Sequence, residues 1–230
     1  MVDVLIYVAD GVLYKDLNYG DRVEEGLAAA GITAQRRDLT STSVALSVPA
    51  VPVVFTGGQT SVHSTEPWMR AAVAFARDLL AQERPVIGIC LGSQILAEAL
   101  RPHSIVSAKT IEVGLTPVTR PGDATGHRIV PSFHYQAISS SLDQVPGFHI
   151  EWCNTHTPVQ AFRYGEWAFG CQFHPELTSD DMHRLIDYHA DVISEWHGDP
   201  AAAHISVDEH GQALSAQLFR TMIVDRLASY

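Results

Sequence analysis

The chain has 230 residues, 46% of them hydrophobic, and a formal charge of −11: enough length for a substantial core, with no composition that reads as disordered. An acidic balance of this size argues against sequence-independent nucleic-acid binding. Cys90, Cys153 and Cys171 are an odd number without C-x-x-C spacing, which argues against a disulfide framework or a zinc ribbon and for a reducing compartment.

In chain order, Val2–Val8 is an apolar run suited to a first buried strand. It has no basic flank and is closed off by Asp10, so it does not read as a signal peptide. "DRVEEGLAAAG" is helical in composition, with Gly31 placed as the left-handed residue after the helix. "ITAQRRD" returns as a second strand and "VPVVFTGG" is a third. Ser64 or Thr65 is expected to cap a helix that starts with Glu66 and Pro67 and buries Trp68, Ala72, Phe75, Ala76 and Leu79. "PVIGI" is a fourth strand and "SQILAEAL" a helix. This alternation predicts an α/β fold, a mostly parallel central sheet with helices on both faces.

After Pro102 the runs shorten. "SIVSAK", "EVGLTPVT", "HRIVPSF", "FHIEWCN", "VQAFRY" and "WAFGCQF" read as antiparallel strands or a small sheet extension. "SDDMHRLIDYHADVISEW" is helical, with two aspartates suited to its N-terminus. "HGDPAAAHISVDEHG" is expected to be a loop, followed by a last amphipathic helix over Gln212–Leu227 with Leu214, Leu218, Met222 and Leu227 near one face. Without repeats or a convincing linker, residues 1–230 are expected to form one domain, with a core over about 1–195 and a helical extension over about 198–230. No run approaches the roughly 18 apolar residues of a membrane span, so a cytoplasmic location without a membrane partner is expected. His183 and His189 are six apart on a helix, which does not align them, and no metal site is expected.

Three stretches carry chemistry. "Gly88-Ile89-Cys90-Leu91-Gly92" has the G-x-C-x-G form of a nucleophile elbow, in which a sharp strand-to-helix turn exposes the nucleophile. The helix N-terminus favours a thiolate, and the Leu91 amide is free to donate to an oxyanion. A buried cysteine whose glycines merely permit close helix–strand packing fits the same five residues equally well. "Cys171-Gln172-Phe173-His174-Pro175-Glu176" offers a base at the end of a strand. Pro175 keeps His174 extended, and Glu176 is near enough to fix the imidazole tautomer. Such a histidine can also be purely structural. "Thr56-Gly57-Gly58-Gln59" follows a strand at the same end of the sheet as Cys90, where a residue without Cβ can bring an amide up to a substrate.

Together these stretches resemble the class I glutamine amidotransferases, over about residues 45–195 and more weakly before that. The strongest matches are "GICLGSQILAEAL" and "GCQFHPE", supported by "TGGQTSV", "EVGLTPV" and "HTPVQAFRYGE". Within that family the resemblance is to free-standing members similar to the amidotransferase domain of GMP synthase. It implies Cys90 as nucleophile, His174 as base, Glu176 as orienting acid, and Gly58 and Leu91 as oxyanion-hole amides. Gly57, Gln94, Phe133, His134 and Tyr135 would be substrate contacts, with the "SFHYQAI" segment holding the amino-acid end. Two positions depart from the family pattern: Gln59 replaces the usual proline and Phe133 a frequent serine.

The implied activity is hydrolysis of the side-chain amide of L-glutamine through a Cys90 thioester. Glutamate and ammonia are released, and the ammonia passes to a separate synthetase subunit or other acceptor. No metal or organic cofactor is implied, and the chain lacks a GxxxxGK[ST] phosphate loop. A γ-glutamyl hydrolase with the same triad, acting on a γ-glutamyl amine or peptide, is an alternative. A non-catalytic binding protein and a redox protein using only its elbow cysteine are two others, and the presence of His174 and Glu176 argues against both.

Overall fold

The computed structural model describes residues 2–41, 46–123, 126–211 and 216–230. At its centre the strands β1 (Val4–Val8), β4 (Ala34–Asp38), β5 (Val53–Phe55), β6 (Val86–Ile89) and β11 (Ala168–Cys171) run parallel. β10 (Ala161–Tyr164) and β9 (Phe148–Trp152) extend this sheet antiparallel beyond β11. The seven strands lie in the order β4-β1-β5-β6-β11-β10-β9. β1, β5, β6 and β11 are buried almost throughout, which is why they read as continuous apolar runs rather than alternating ones. Edge strand β4 is largely exposed and carries Arg36 and Arg37, charges suited to an open edge.

Helices cover both faces. α1 (Tyr19–Ala29) starts two residues earlier than its composition suggests, because Asn18 and Asp21 form a reciprocal capping box. α2 (Pro67–Ala81) has Glu66 at its N-cap and Pro67 at its first position, without a side-chain cap. Ser64 bonds the Glu66 amide instead of capping the helix. Met69, rather than Trp68, completes the buried stripe with Ala72, Phe75, Ala76, Leu79 and Leu80. α3 (Leu91–Leu100) follows β6 directly and buries nearly every side chain.

The segment after Pro102 forms both of the expected arrangements. β7 (Ile105–Thr119) and β8 (His127–Ile138) make a long antiparallel hairpin separate from the main sheet, with a register shift between Ser107 and Glu112. A second small hairpin, β2 (Val12–Tyr14) with β3 (Leu17–Asn18), has no counterpart among the expected elements.

The C-terminal third departs most from expectation. The helix expected through Trp196 breaks at His189 into α4 (Ser179–Tyr188) and α5 (Ala190–Glu195). "HGDPAAAHISVDEHG" is mostly a helix, α6 (Pro200–His210), not a loop. Asp199 caps it with bonds to the amides of Ala201 and Ala202, and Pro200 occupies its first position. Gln212 and Leu214 lie outside the described residues. From Ala216 the chain continues as α7 (Ala216–Phe219), a π-helical turn over Arg220–Val224, and α8 (Asp225–Leu227). Leu218, Met222 and Leu227 are buried against the sheet and α1. His183 pairs with His204 of α6, Nδ1 to Nδ1 at 2.8 Å. Among the described residues no group of three metal-ligating side chains occurs, and no helix is long and apolar enough to cross a membrane.

Candidate active site

Three sequence-distant stretches meet because β5, β6 and β11 are neighbours in the sheet. Their carboxyl ends deliver Gly57–Gly58, Cys90 and His174 to one edge, where open α/β sheets place their ligand sites.

Cys90 is the residue between β6 and α3, with φ +49° and ψ −109°. A non-glycine side chain in that region is strained, and such strain clusters at functional sites. The glycines around it are required by contact. A Cβ at Gly88 would lie 2.4 Å from the Gly92 carbonyl oxygen, and one at Gly92 equally close to that of Phe55. Leu91 opens α3, so its amide has no carbonyl one turn earlier in the helix to bond.

His174 is fully buried and bonds Glu176 from Nδ1 at 2.7 Å. With Nδ1 engaged, Nε2 is left without a conventional hydrogen bond and is the nitrogen open to the Cys90 thiol beside it. Burial works against charge on the ring, but Glu176 and Cys90 outweigh it and push His174 up to about 10. The protonated form of the imidazole is therefore favoured. Tyr19 lies flat on the other side of the ring, centroids 4.7 Å apart. Cys171 is buried too, and burial pushes its thiol well above the ordinary value, which leaves it inert. All three cysteines are free.

The glycine pair is shaped by the same crowding. A Cβ at Gly57 would meet His174 Cε1 at 2.8 Å, and one at Gly58 would meet the Leu91 side chain at 2.6 Å. Asp10 pins the following turn, accepting from the amides of Gln59 (3.2 Å) and Thr60 (3.3 Å). The Gln59 carboxamide reaches the Val12 carbonyl at 3.1 Å and lies 3.3 Å from His189 Nε2.

A cavity of about 230 Å³ opens over Cys90. Of the residues singled out from sequence, Gly58, Cys90, Gln94, Phe133, His134 and Tyr135 line it, whereas Gly57, Leu91, His174 and Glu176 stand behind the wall. Cys90 Sγ is 3.8 Å from the Phe133 carbonyl oxygen, and Gln94 Nε2 is 3.5 Å from that of Gln136. Gln136, within the "SFHYQAI" stretch, lines the cavity as well, and so do Tyr19 and His189, which were missed. The Asn18…Asp21 capping signal, read as such, would have put Tyr19 at the helix start and so beside the sheet edge. His189 has no comparable local signal, because a break in a helix placed it there.

The model of the glutamine amidotransferase class-I family matches residues 26–189. The chain belongs to the class I glutamine amidotransferases. It is 33% identical over 172 residues to one of the subunits of a glutamine-hydrolyzing GMP synthase from Sulfolobus acidocaldarius, covering 72% of this chain and 82% of that protein. Glutamine amidotransferase-like proteins of Schizosaccharomyces pombe and Salmonella typhimurium are 26% and 28% identical, covering 58% and 64% of this chain. The match spans 56% and 64% of those two proteins, less than two thirds of either length. The crystal structure of a glutamine amidotransferase from Thermotoga maritima shares the fold, with a TM-score of 0.75 at 23% identity over 99% of both chains.

Proposed function

We propose that this amidotransferase hydrolyses the side-chain amide of L-glutamine, with Cys90 as nucleophile, His174 as acid and base, and Glu176 as the group that orients His174. The observation that carries this reading is a strained elbow cysteine beside a buried histidine whose far nitrogen is held by a buried carboxylate at 2.7 Å. That is the arrangement an activated thiolate needs.

In the proposed reaction the Cys90 thiolate attacks the amide carbon, and the amides of Gly58 and Leu91 hold the oxyanion. The His174 imidazolium gives its proton to the leaving nitrogen, and ammonia departs. The neutral imidazole then takes a proton from water, which attacks the thioester and frees glutamate. The cavity of about 230 Å³ is smaller than the ~300–1,000 Å³ that holds drug-sized ligands, which favours a single amino acid over a larger γ-glutamyl conjugate. Its lining includes no carboxylate or guanidinium among the described residues, so main-chain groups and the carboxamides of Gln94 and Gln136 would hold the zwitterionic end. The archaeal relative is by name one of the subunits of a glutamine-hydrolyzing synthase, which supports delivery of the ammonia to a separate polypeptide.

The test is release of glutamate and ammonia from L-glutamine by the purified protein, with Cys90→Ser as the blank. Cys90-dependent turnover supports the reading. Turnover only on γ-glutamyl amines or peptides, offered in parallel, would replace glutamine with that substrate class. No Cys90-dependent turnover on any of these, alone or with a synthetase partner added, would overturn it.

A further inference from the structure

Beside the candidate triad lies a second buried carboxylate–histidine pair. Glu112 and His134 sit directly opposite each other on β7 and β8, where the hairpin register shifts. His134 is 3% exposed and Glu112 8%. The Glu112 carboxylate accepts from Asn154 Nδ2, from Gln160 Nε2 at 2.8 Å and from Thr157 Oγ1 at 2.9 Å. All three donors come from the stretch between β9 and β10. Its Oε2 also lies 3.6 Å from His134 Nε2. On the other side of the ring, Nδ1 is 3.1 Å from the Gln136 carbonyl oxygen and 3.3 Å from Gln172 Nε2. The same carbonyl takes Gln172 Nε2 at 2.9 Å.

Burying a carboxylate is costly unless its hydrogen bonds are made, and here three donors make them, which rigidifies what the network joins. What it fixes is the segment Phe133–Gln136, all four residues of which line the cavity over Cys90. His134 Nδ1 is met by the Gln136 carbonyl of its own strand and by Gln172, while Nε2 has no hydrogen-bond partner and packs against the Glu112 carboxylate at 3.6 Å, so Glu112 limits the ring by contact across the hairpin and not by a hydrogen bond. Glu112 in turn borders a second cavity of about 580 Å³ on the far side of the hairpin. The pair thus forms part of the wall between the site and the outer surface.

We propose that Glu112 is a positioning residue for the substrate's amino-acid end: it anchors His134 and through it the cavity-lining segment Phe133–Gln136. The proposal rests on the glutamine reading and adds to it a residue that touches neither the triad nor the substrate. Glu112→Gln keeps the shape but puts an amide N–H where three donors converge, so the anchor is weakened without opening a void. Its consequence falls on recognition of the α-amino and α-carboxylate groups, not on the reactivity of the Cys90–His174 pair.

The experiment compares two alkylations of Cys90, one by iodoacetamide, which needs no recognition, and one by a diazoketone analogue of glutamine, which carries the amino-acid end. Expected for Glu112→Gln is an iodoacetamide rate like that of the wild type and a diazoketone rate lower by about tenfold, the scale of one hydrogen bond to a charged group. With glutamine, KM should rise by more than kcat falls. Thr157→Val, which removes one donor to Glu112, should give a smaller loss in the same direction. Unchanged diazoketone labelling in Glu112→Gln would overturn the proposal while leaving the glutamine reading intact. An equal fall of both rates in both variants would also overturn it, because Glu112 would then be supporting the fold alone. If the wild type itself shows no preference for the diazoketone, the glutamine reading fails, and the proposal with it.

Discussion

Tyr19 stacks on His174, with ring centroids 4.7 Å apart and planes 18° from parallel. The histidine is thereby held on three sides, by Tyr19 across its face, by Glu176 at Nδ1 and by the backbone at Gly57, where a Cβ would come within 2.8 Å of Cε1. Only the Nε2 side is left for Cys90. Burial raises the Tyr19 hydroxyl well above its ordinary value, and the negative charge of Cys90 and Glu176 adds to this. The residue therefore acts as a flat neutral wall and not as a titrating group.

A Tyr19→Leu substitution should lower kcat for glutamine by about tenfold, the scale of an aromatic pair of this kind, because the imidazole gains freedom to tilt. Tyr19→Phe keeps the ring and should stay within about twofold of wild type on the same scale. Steady-state kinetics on the three proteins decides it. An equal loss in both variants would mean that the hydroxyl matters, not the stack.

Glu176→Gln should reduce kcat by about 10³–10⁴, as loss of the orienting carboxylate does in comparable triads. It should also change the alkaline limb of stability. His174 is raised from 6.5 to about 10, burial opposing its charge and Glu176 and Cys90 favouring it. A raised histidine contributes stability that is whole below 6.5 and lost as pH rises through about 10. Urea midpoints measured from pH 6 to pH 10.5 should fall less steeply in Glu176→Gln than in wild type.

The parallel strands and the three loops at their ends were legible because buried strands leave apolar runs and the loops leave glycines that only close packing explains. Gly88, Gly92 and Gly58 each stand where a Cβ would clash. The C-terminal helices were less legible. In α6 the apolar residues follow no stripe: Ala203 and Val207 are buried while Ile205 is exposed, so periodicity gave no sign of a helix, although Asp199 and Pro200 marked its start. The Glu112–His134 pair left no local signal either. It depends on the register of a hairpin and on donors from a loop some forty residues away, which only the tertiary structure brings together.

Gly58→Ala tests the proposed oxyanion loop. An added Cβ would meet the Leu91 side chain at 2.6 Å and Ala9 Cβ and Asp10 Oδ1 at 2.9 Å, and of these Ala9 Cβ, fixed to the backbone, cannot swing away. The turn must then move off Cys90 and carry its amide with it. Loss of one oxyanion donor costs about 10²–10³ in kcat, and KM should change far less. Single-turnover thioester formation, followed by trapping with hydroxylamine, should be slowed to the same degree.

Asp181 supplies a test of stability remote from the thiol. Its side chain is fully buried and joins three elements. It accepts from Tyr14 of β2 at 2.8 Å, from Arg22 of α1 at 2.6 and 3.1 Å, and from Thr178 at the start of α4 at 2.8 and 3.0 Å. Burial alone would raise this carboxyl, but the bonds from Arg22 and Thr178 outweigh it and hold it below 3.8. A depressed carboxyl contributes stability that is present above 3.8 and lost as pH falls through its lower folded value. Asp181→Asn leaves Arg22 with only the exposed Glu25 as a carboxylate partner and weakens the capping box. It should cost about 2–3 kcal/mol, toward the lower end for a buried pair because Arg22 is 23% exposed. Urea unfolding at pH 7 should show that loss, and the gap between variant and wild type should narrow as the pH is taken below 3.8. A gap that stays constant into acid would mean that Asp181 acts through shape and not through charge.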